Sequence, residues 1–193
     1  PSVGWSFVSS SYFGVRLYPP GFLFDVGGSS IFPKEKRLRY ETTAFLCSHI
    51  APRLMAILNP TLNFQVGNIE QLPFIEVGAA PIGIKCVEIA KDDWNASETS
   101  WNFQFIGSIS DSVTQQTEVT DVGLRDKAAN PTYNLSNIYA DWQTKNHQTI
   151  AEMQRLEQEN NRLFINAYGL QDELEPDVPP EQITLTVNPK YRY

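Results

Sequence analysis

Two tetrapeptides, Asn130-Pro131-Thr132-Tyr133 and Asn188-Pro189-Lys190-Tyr191, set a polar side chain, a proline and an aromatic ring in line. Amino-directed methyl transfer uses a related segment, (Asp/Asn/Ser)-Pro-Pro-aromatic. There the polar side chain and a carbonyl accept from the target amino group while the ring stacks on the extruded base. Both tetrapeptides lack the second proline, and neither follows a glycine-rich loop suited to S-adenosylmethionine, so both read as turns. Phe24-Asp25-Val26-Gly27-Gly28 has the glycines, but no helical pattern begins directly after it. Metal-dependent DNA cleavage needs a carboxylate followed by a Glu-x-Lys pair. Glu35 is followed two residues on by Arg37, and Asp177 has no downstream partner. His49 and His147 stand in no nucleophile-base setting; His49 reads as a packed helix-face residue and His147 as a solvated one. Cys47 and Cys86 lie in apolar stretches without metal-ligand spacing and read as buried free thiols.

Binding chemistry is what remains. Arg16 lies in an aromatic segment just before Pro19-Pro20-Gly21, and Lys34, Lys36, Arg37 and Arg39 follow the glycine-rich stretch 27–30. Arginine suits bidentate contact with a guanine edge, whereas lysine acts mainly as a point charge for phosphate. Arg16, Arg37 and Arg39 are therefore candidates for base or phosphate contact, and Lys34 and Lys36 for positioning. The competing reading is structural: Arg16 braces the fold through Asp25, and the cluster is a solvated loop.

Charge bears on this choice. The 193 residues carry a formal net charge of −7, which by itself opposes phosphate binding. Its distribution is uneven: through Lys91 there are eight Lys plus Arg against six Asp plus Glu, and from Asp92 onward seven against sixteen. The acid is thus concentrated away from the basic cluster. A hydrophobic content of 41% supports a true core without disulfides. The chain opens on Pro1, has no basic-then-apolar leader and no apolar run near ~20 residues, so a cytoplasmic internal fragment with no membrane span is expected.

The elements that must position these residues follow from pattern. Residues 5–8, 12–18, 22–24 and 31–32 alternate aromatic and small residues between turn signals and read as short strands. Residues 42–58 have helical spacing, interrupted at Pro52 and ended by Asn59-Pro60. Residues 62–66, 69–75 and 85–89 read as extended segments. Residues 92–134 form a polar connecting arm, weakest in core signal at 111–120, where mobility is expected. From Leu135 to Tyr168, apolar residues recur at steps of three and four, predicting a helix ~50 Å long that Gly169 ends. An acidic, proline-rich linker and a short strand at 183–187 close the chain. The expected class is α+β: a mixed α/β globule over 1–91, the arm over 92–134, and over 135–193 a long amphipathic helix with its linker and strand. The helix should pack back on the globule rather than form an independent oligomerising pair.

Five blocks in order carry a resemblance: PGFLFD at 20–25, ILNPTLNFQVGNI at 57–69, LP at 72–73, KDDWN through ETSWNF at 91–103, and NNRLFINAYGLQDEL at 160–174. Together they resemble landmarks of the PglX-type adenine methyltransferases of bacterial phage-exclusion (BREX) systems, which are similar to type IIG restriction-modification enzymes. The stretch 108–129 is not covered. That resemblance implies a target-recognition segment that reads double-stranded DNA beside a catalytic domain of the same parent chain, a mixed α/β globule followed by a helical spacer. The catalytic motif would lie upstream, so no catalytic residue and no cofactor are expected in this segment. S-adenosylmethionine is expected in the catalytic domain. The alternative is a structural or partner-docking module built on the long helix, without direct DNA binding.

Overall fold

The computed structural model describes residues 1–9, 13–103 and 135–186. The two Asn-Pro tetrapeptides and the segment 111–120 lie outside those residues. The architecture is α+β: a small antiparallel sheet, four shorter α-helices and one long C-terminal helix. No helix among the described residues is long and apolar enough to cross a membrane.

Strand β1 (Ser2–Trp5) is central, flanked by β2 (Val15–Tyr18) and β3 (Ser30–Ile31) in the order β2-β1-β3. All four β1 residues are buried. Gly4 faces Arg16 and Ser30 across the sheet, and a Cβ there would lie 2.6 Å from the Tyr18 ring. The Trp5 indole donates to the Phe64 carbonyl at 2.7 Å, tying the sheet to residues 62–64. The strand expected at 62–66 is reduced to one bridge, Val8 with Asn63. Residues 22–24, also expected as a strand, form no ladder among the described residues and are exposed, because nothing packs on their alternating faces.

The helices are α1 (Lys36–Leu46), α2 (Ile50–Leu58), α3 (Val66–Glu70), α4 (Ala80–Asn95) and α5 (Leu135–Tyr168). The helix expected from residue 42 begins at Lys36 instead, and its break falls at 47–49 rather than at Pro52. Pro52 is the third residue of α2, where its missing amide has no intrahelical acceptor to lose. Residues 69–70 complete α3 and 85–89 lie within α4, against the extended reading of both. In α3 the cause is a capping box, with Gln65 and Asn68 satisfying each other's backbone amides. In α4 it is tertiary: Gly83 lets the helix cross α1 so closely that a Cβ would lie 2.6 Å from the Tyr40 carbonyl oxygen.

Glu41 is the link between those two helices. Fully buried on α1, its carboxylate accepts the amides of Val77, Gly78 and Ala79 at 2.8, 2.8 and 3.0 Å through Oε1, and that of Ala80 at 2.6 Å through Oε2. These are the orphan donors at the start of α4, which has no cap from its own sequence.

Helix α5 ends as its sequence predicts. Gly169 has φ 68°, its amide donates to the Asn166 carbonyl, and Leu170 donates to that of Ile165. This pair is the Schellman pattern, and Ile165 and Leu170 both pack on the core. Phe164 and Ile165 join Phe45, Ile50 and Met55 in the main core, so the C-terminal part of α5 is built into the globule. Asn161 accepts the His49 amide at 2.9 Å and donates to the Pro176 carbonyl, while His49 Nδ1 reaches the Glu175 carbonyl at 3.1 Å. His49 is therefore a half-buried strut rather than the core residue expected, held where α2 starts against α5 and the linker. Beyond the linker, Ile183 and Leu185 are buried against Met153. Residues 183–186 make no ladder among the described residues, and side-chain bonds to Glu157 and Asp93 hold them in place of the expected strand.

Candidate functional site

Three of the predicted cations meet at the start of α1. Lys34 precedes the helix, and Lys36 and Arg37 begin it. All three are exposed. The expected basic loop is thus a helix start, because Lys36 onward can bury Glu41, Ala44 and Phe45 along one face. Glu35, the capping residue, makes no side-chain cap, and the first turn has no acid. The helix dipole therefore adds to the positive potential of these side chains. Arg37 is engaged by Glu76 at 2.6 Å in an exposed ion pair, one that solvent and salt screen. Arg39 is half-buried and donates to the Pro33 carbonyl at 3.2 Å, which makes it a brace of the bend before α1.

Arg16 stands apart on β2, exposed and without an ion pair among the described residues. The bracing role through Asp25 does not hold, since Asp25 Oδ1 accepts the Gly28 amide at 2.9 Å within its own loop. Between β2 and β3 the chain exposes Phe22, Phe24, Val26 and an almost wholly exposed Leu23. Trp101, next to Asn102, is also fully exposed. Of the polar loops that compete as binding faces, 63–68 is tied internally through Asn59, Asn63 and Asn68. The 95–102 loop is tied through Asn95 and Ser100.

A cleft of about 510 Å³ opens between β2, α1, α4, α5 and residues 184–186. Its α5 wall carries Met153, Glu157 and Asn160, which share one helix face. Asn160 is 5% exposed and donates through Nδ2 to the Ala44 carbonyl at 2.8 Å, while its Oδ1 has no partner among the described residues. Glu157 Oε1 accepts the amide of Thr184 at 3.0 Å and its hydroxyl. Burial pushes this carboxyl up to about 7. Cys47 and Cys86 are free and line the same cleft. Cys47 is reached from the cleft rather than sealed in the core, yet the protein packed around its sulfur pushes the thiol up to about 12. Neither Glu157 nor Asn160 is marked by the sequence as more than a polar residue on an amphipathic helix. Their three-residue spacing opposite Cys86 was the available signal.

Glu157 makes a pH prediction. Its carboxyl titrates higher in the folded chain than in the unfolded one, so folding favours the protonated form. That contribution is fully present below the ordinary carboxyl range, near pH 4.5 for glutamate, and is lost as pH rises through about 7. Denaturant midpoints measured from pH 4.5 to 8 should therefore include a decline that Glu157→Gln removes; identical profiles for both chains would contradict the burial argument.

No protein family model matches the chain. Over 187 residues it is 27% identical to the adenine-specific methyltransferase PglX of Lacticaseibacillus casei (strain Zhang), an alignment spanning 95% of this chain and 14% of that protein. Over 192 residues it is 28% identical to the adenine-specific methyltransferase BrxX of Escherichia coli O9:H4 (strain HS), spanning 98% of this chain and again 14% of the relative. Similarity along almost the whole chain to a small part of two such proteins is consistent with a fragment of a BREX-type methyltransferase.

Proposed function

We propose that this segment of a BREX-type adenine-specific methyltransferase is its DNA target-recognition region, with methyl transfer and S-adenosylmethionine binding assigned to another part of the parent protein. The observation that carries this reading is the cationic, uncapped start of α1 within an otherwise acidic chain. Lys34 and Lys36 are suited to phosphate contact, and Arg37 exchanges its screened partner Glu76 for a phosphate or a base edge. Arg16 supplies a further cation from β2. Arg39 acts indirectly, through the bend it braces. Double-stranded DNA and the catalytic domain are the implied partners, and the protein works in the cytoplasm.

Titration of duplex DNA at about 50 and 200 mM salt tests this. The isolated chain should bind weakly, with an affinity that falls as salt rises, each phosphate contact contributing roughly 0.9 to the logarithmic slope. Changing Lys34, Lys36 and Arg37 together to Ala should flatten that slope by about two to three while leaving the folded spectrum unchanged. A salt-independent signal, or equal slopes for the two chains, would remove the DNA reading from this surface. The second reading, a docking module, is favoured by the exposed apolar loop at 22–26 and by the stacked Tyr139–Trp142 pair on the outer part of α5. It predicts no salt-dependent DNA affinity.

A further inference from the structure

We infer that the cleft between β2, α1, α4 and α5 binds a nucleotide-class ligand, a flat heteroaromatic ring with an amino group beside a ring nitrogen, and an anionic tail at the mouth. This goes beyond the DNA-recognition reading and does not depend on it. The inner wall chooses the amino group. The Ala44 carbonyl requires a donor, and Asn160 Nδ2 supplies it at 2.8 Å. Turning the amide over would set two oxygens against each other, so Oδ1 is the atom left for a ligand. It is a buried acceptor without a partner among the described residues, and such a group costs about 1–3 kcal/mol unless a donor meets it. Glu157, three residues earlier on the same face, has one oxygen held by Thr184. Near neutrality its carboxyl is present in both protonation states, so it accepts from an amino group or donates to a ring nitrogen. An amino group next to a ring nitrogen presents that combination on one edge.

The side walls choose a flat body. Leu17, Ile82 and Val87 provide aliphatic surface, and Tyr18 and Trp94 provide rings on which a heteroaromatic can stack. The mouth chooses the tail. Arg16 and Lys91 line the cleft and make no ion pair among the described residues, whereas Asp93, which also lines it, is engaged by the amide and hydroxyl of Thr186 at 2.7 and 3.0 Å. The volume of about 510 Å³ lies within the roughly 300–1,000 Å³ of small-molecule sites.

Calorimetric titration of the chain with adenosine and cytidine monophosphates, against inosine and uridine monophosphates, tests the assignment. The keto bases keep the ring and the phosphate but place an oxygen where Asn160 needs a donor. At least one amino nucleotide should bind saturably, and its keto counterpart should bind at least about tenfold more weakly. Arg16→Gln, an exposed change that spares the core, should lower the affinity for the monophosphate to that for the matching nucleoside. A single-stranded oligonucleotide of the preferred base separates the sources: tighter binding than the monophosphate assigns the site to a nucleotide in a strand, weaker binding to a free one. No saturation by any of these up to about 10 mM, or equal affinity for amino and keto forms, overturns the proposal. Equal binding of monophosphate and nucleoside by the unchanged chain overturns the anionic tail.

Discussion

Replacing Glu41 with alanine is expected to cost about 3–5 kcal/mol of folding stability, the scale of removing one partner from a buried charged network. The reason is the number of donors it serves. Four consecutive amides, from Val77 to Ala80, converge on its two oxygens, and two of the bonds are to residues that are themselves buried. Alanine leaves those amides without an acceptor at the start of α4, and no side chain of α4 can replace it. Glu41→Gln should lose less, because one oxygen survives while the new NH2 group confronts a backbone donor. Urea unfolding with an unchanged slope and a lowered midpoint would show this. A loss below about 1 kcal/mol for alanine would mean that water satisfies the amides and that Glu41 is no keystone.

Phe164→Ala is expected to cost a similar amount, about 3–5 kcal/mol, and to do so for the whole molecule at once. Its ring has no exposure and lies 5.5 Å from that of Phe45 between centroids. Phe45 in turn stacks on Tyr168, whose hydroxyl donates to the Pro73 carbonyl. A cavity at this point therefore weakens α1, α5 and the 73–75 segment together. Amide exchange should report equal losses of protection in β1 and in the last turns of α5, as one cooperative unit requires. Protection that persists in α5 while β1 opens would support the rival view of α5 as an independent helix.

The parts of this protein legible from its sequence are those whose causes are local. Helix α5 is found at Leu135–Tyr168 because a three-and-four apolar repeat and a terminating glycine are contained in one stretch of chain. The basic character of residues 34–39 was equally plain, and so was the order of blocks that resembles a segment of adenine methyltransferases. What those cations are attached to was not, since α1 begins at Lys36 only by burying a face against partners elsewhere in the chain. Helix α4 likewise reads as extended residues around turns until Glu41, 36 to 39 residues earlier, supplies the acceptors for its first amides. The cleft is the extreme case. Its orphan oxygen belongs to Asn160, fixed by a carbonyl 116 residues away. An asparagine on a polar-rich helix has no sequence signature that distinguishes solvent from a buried wall. Periodicity and caps act over a few residues and can be read along the chain, whereas burial and hydrogen-bond partnership are decided between distant segments, and only the tertiary structure brings those together.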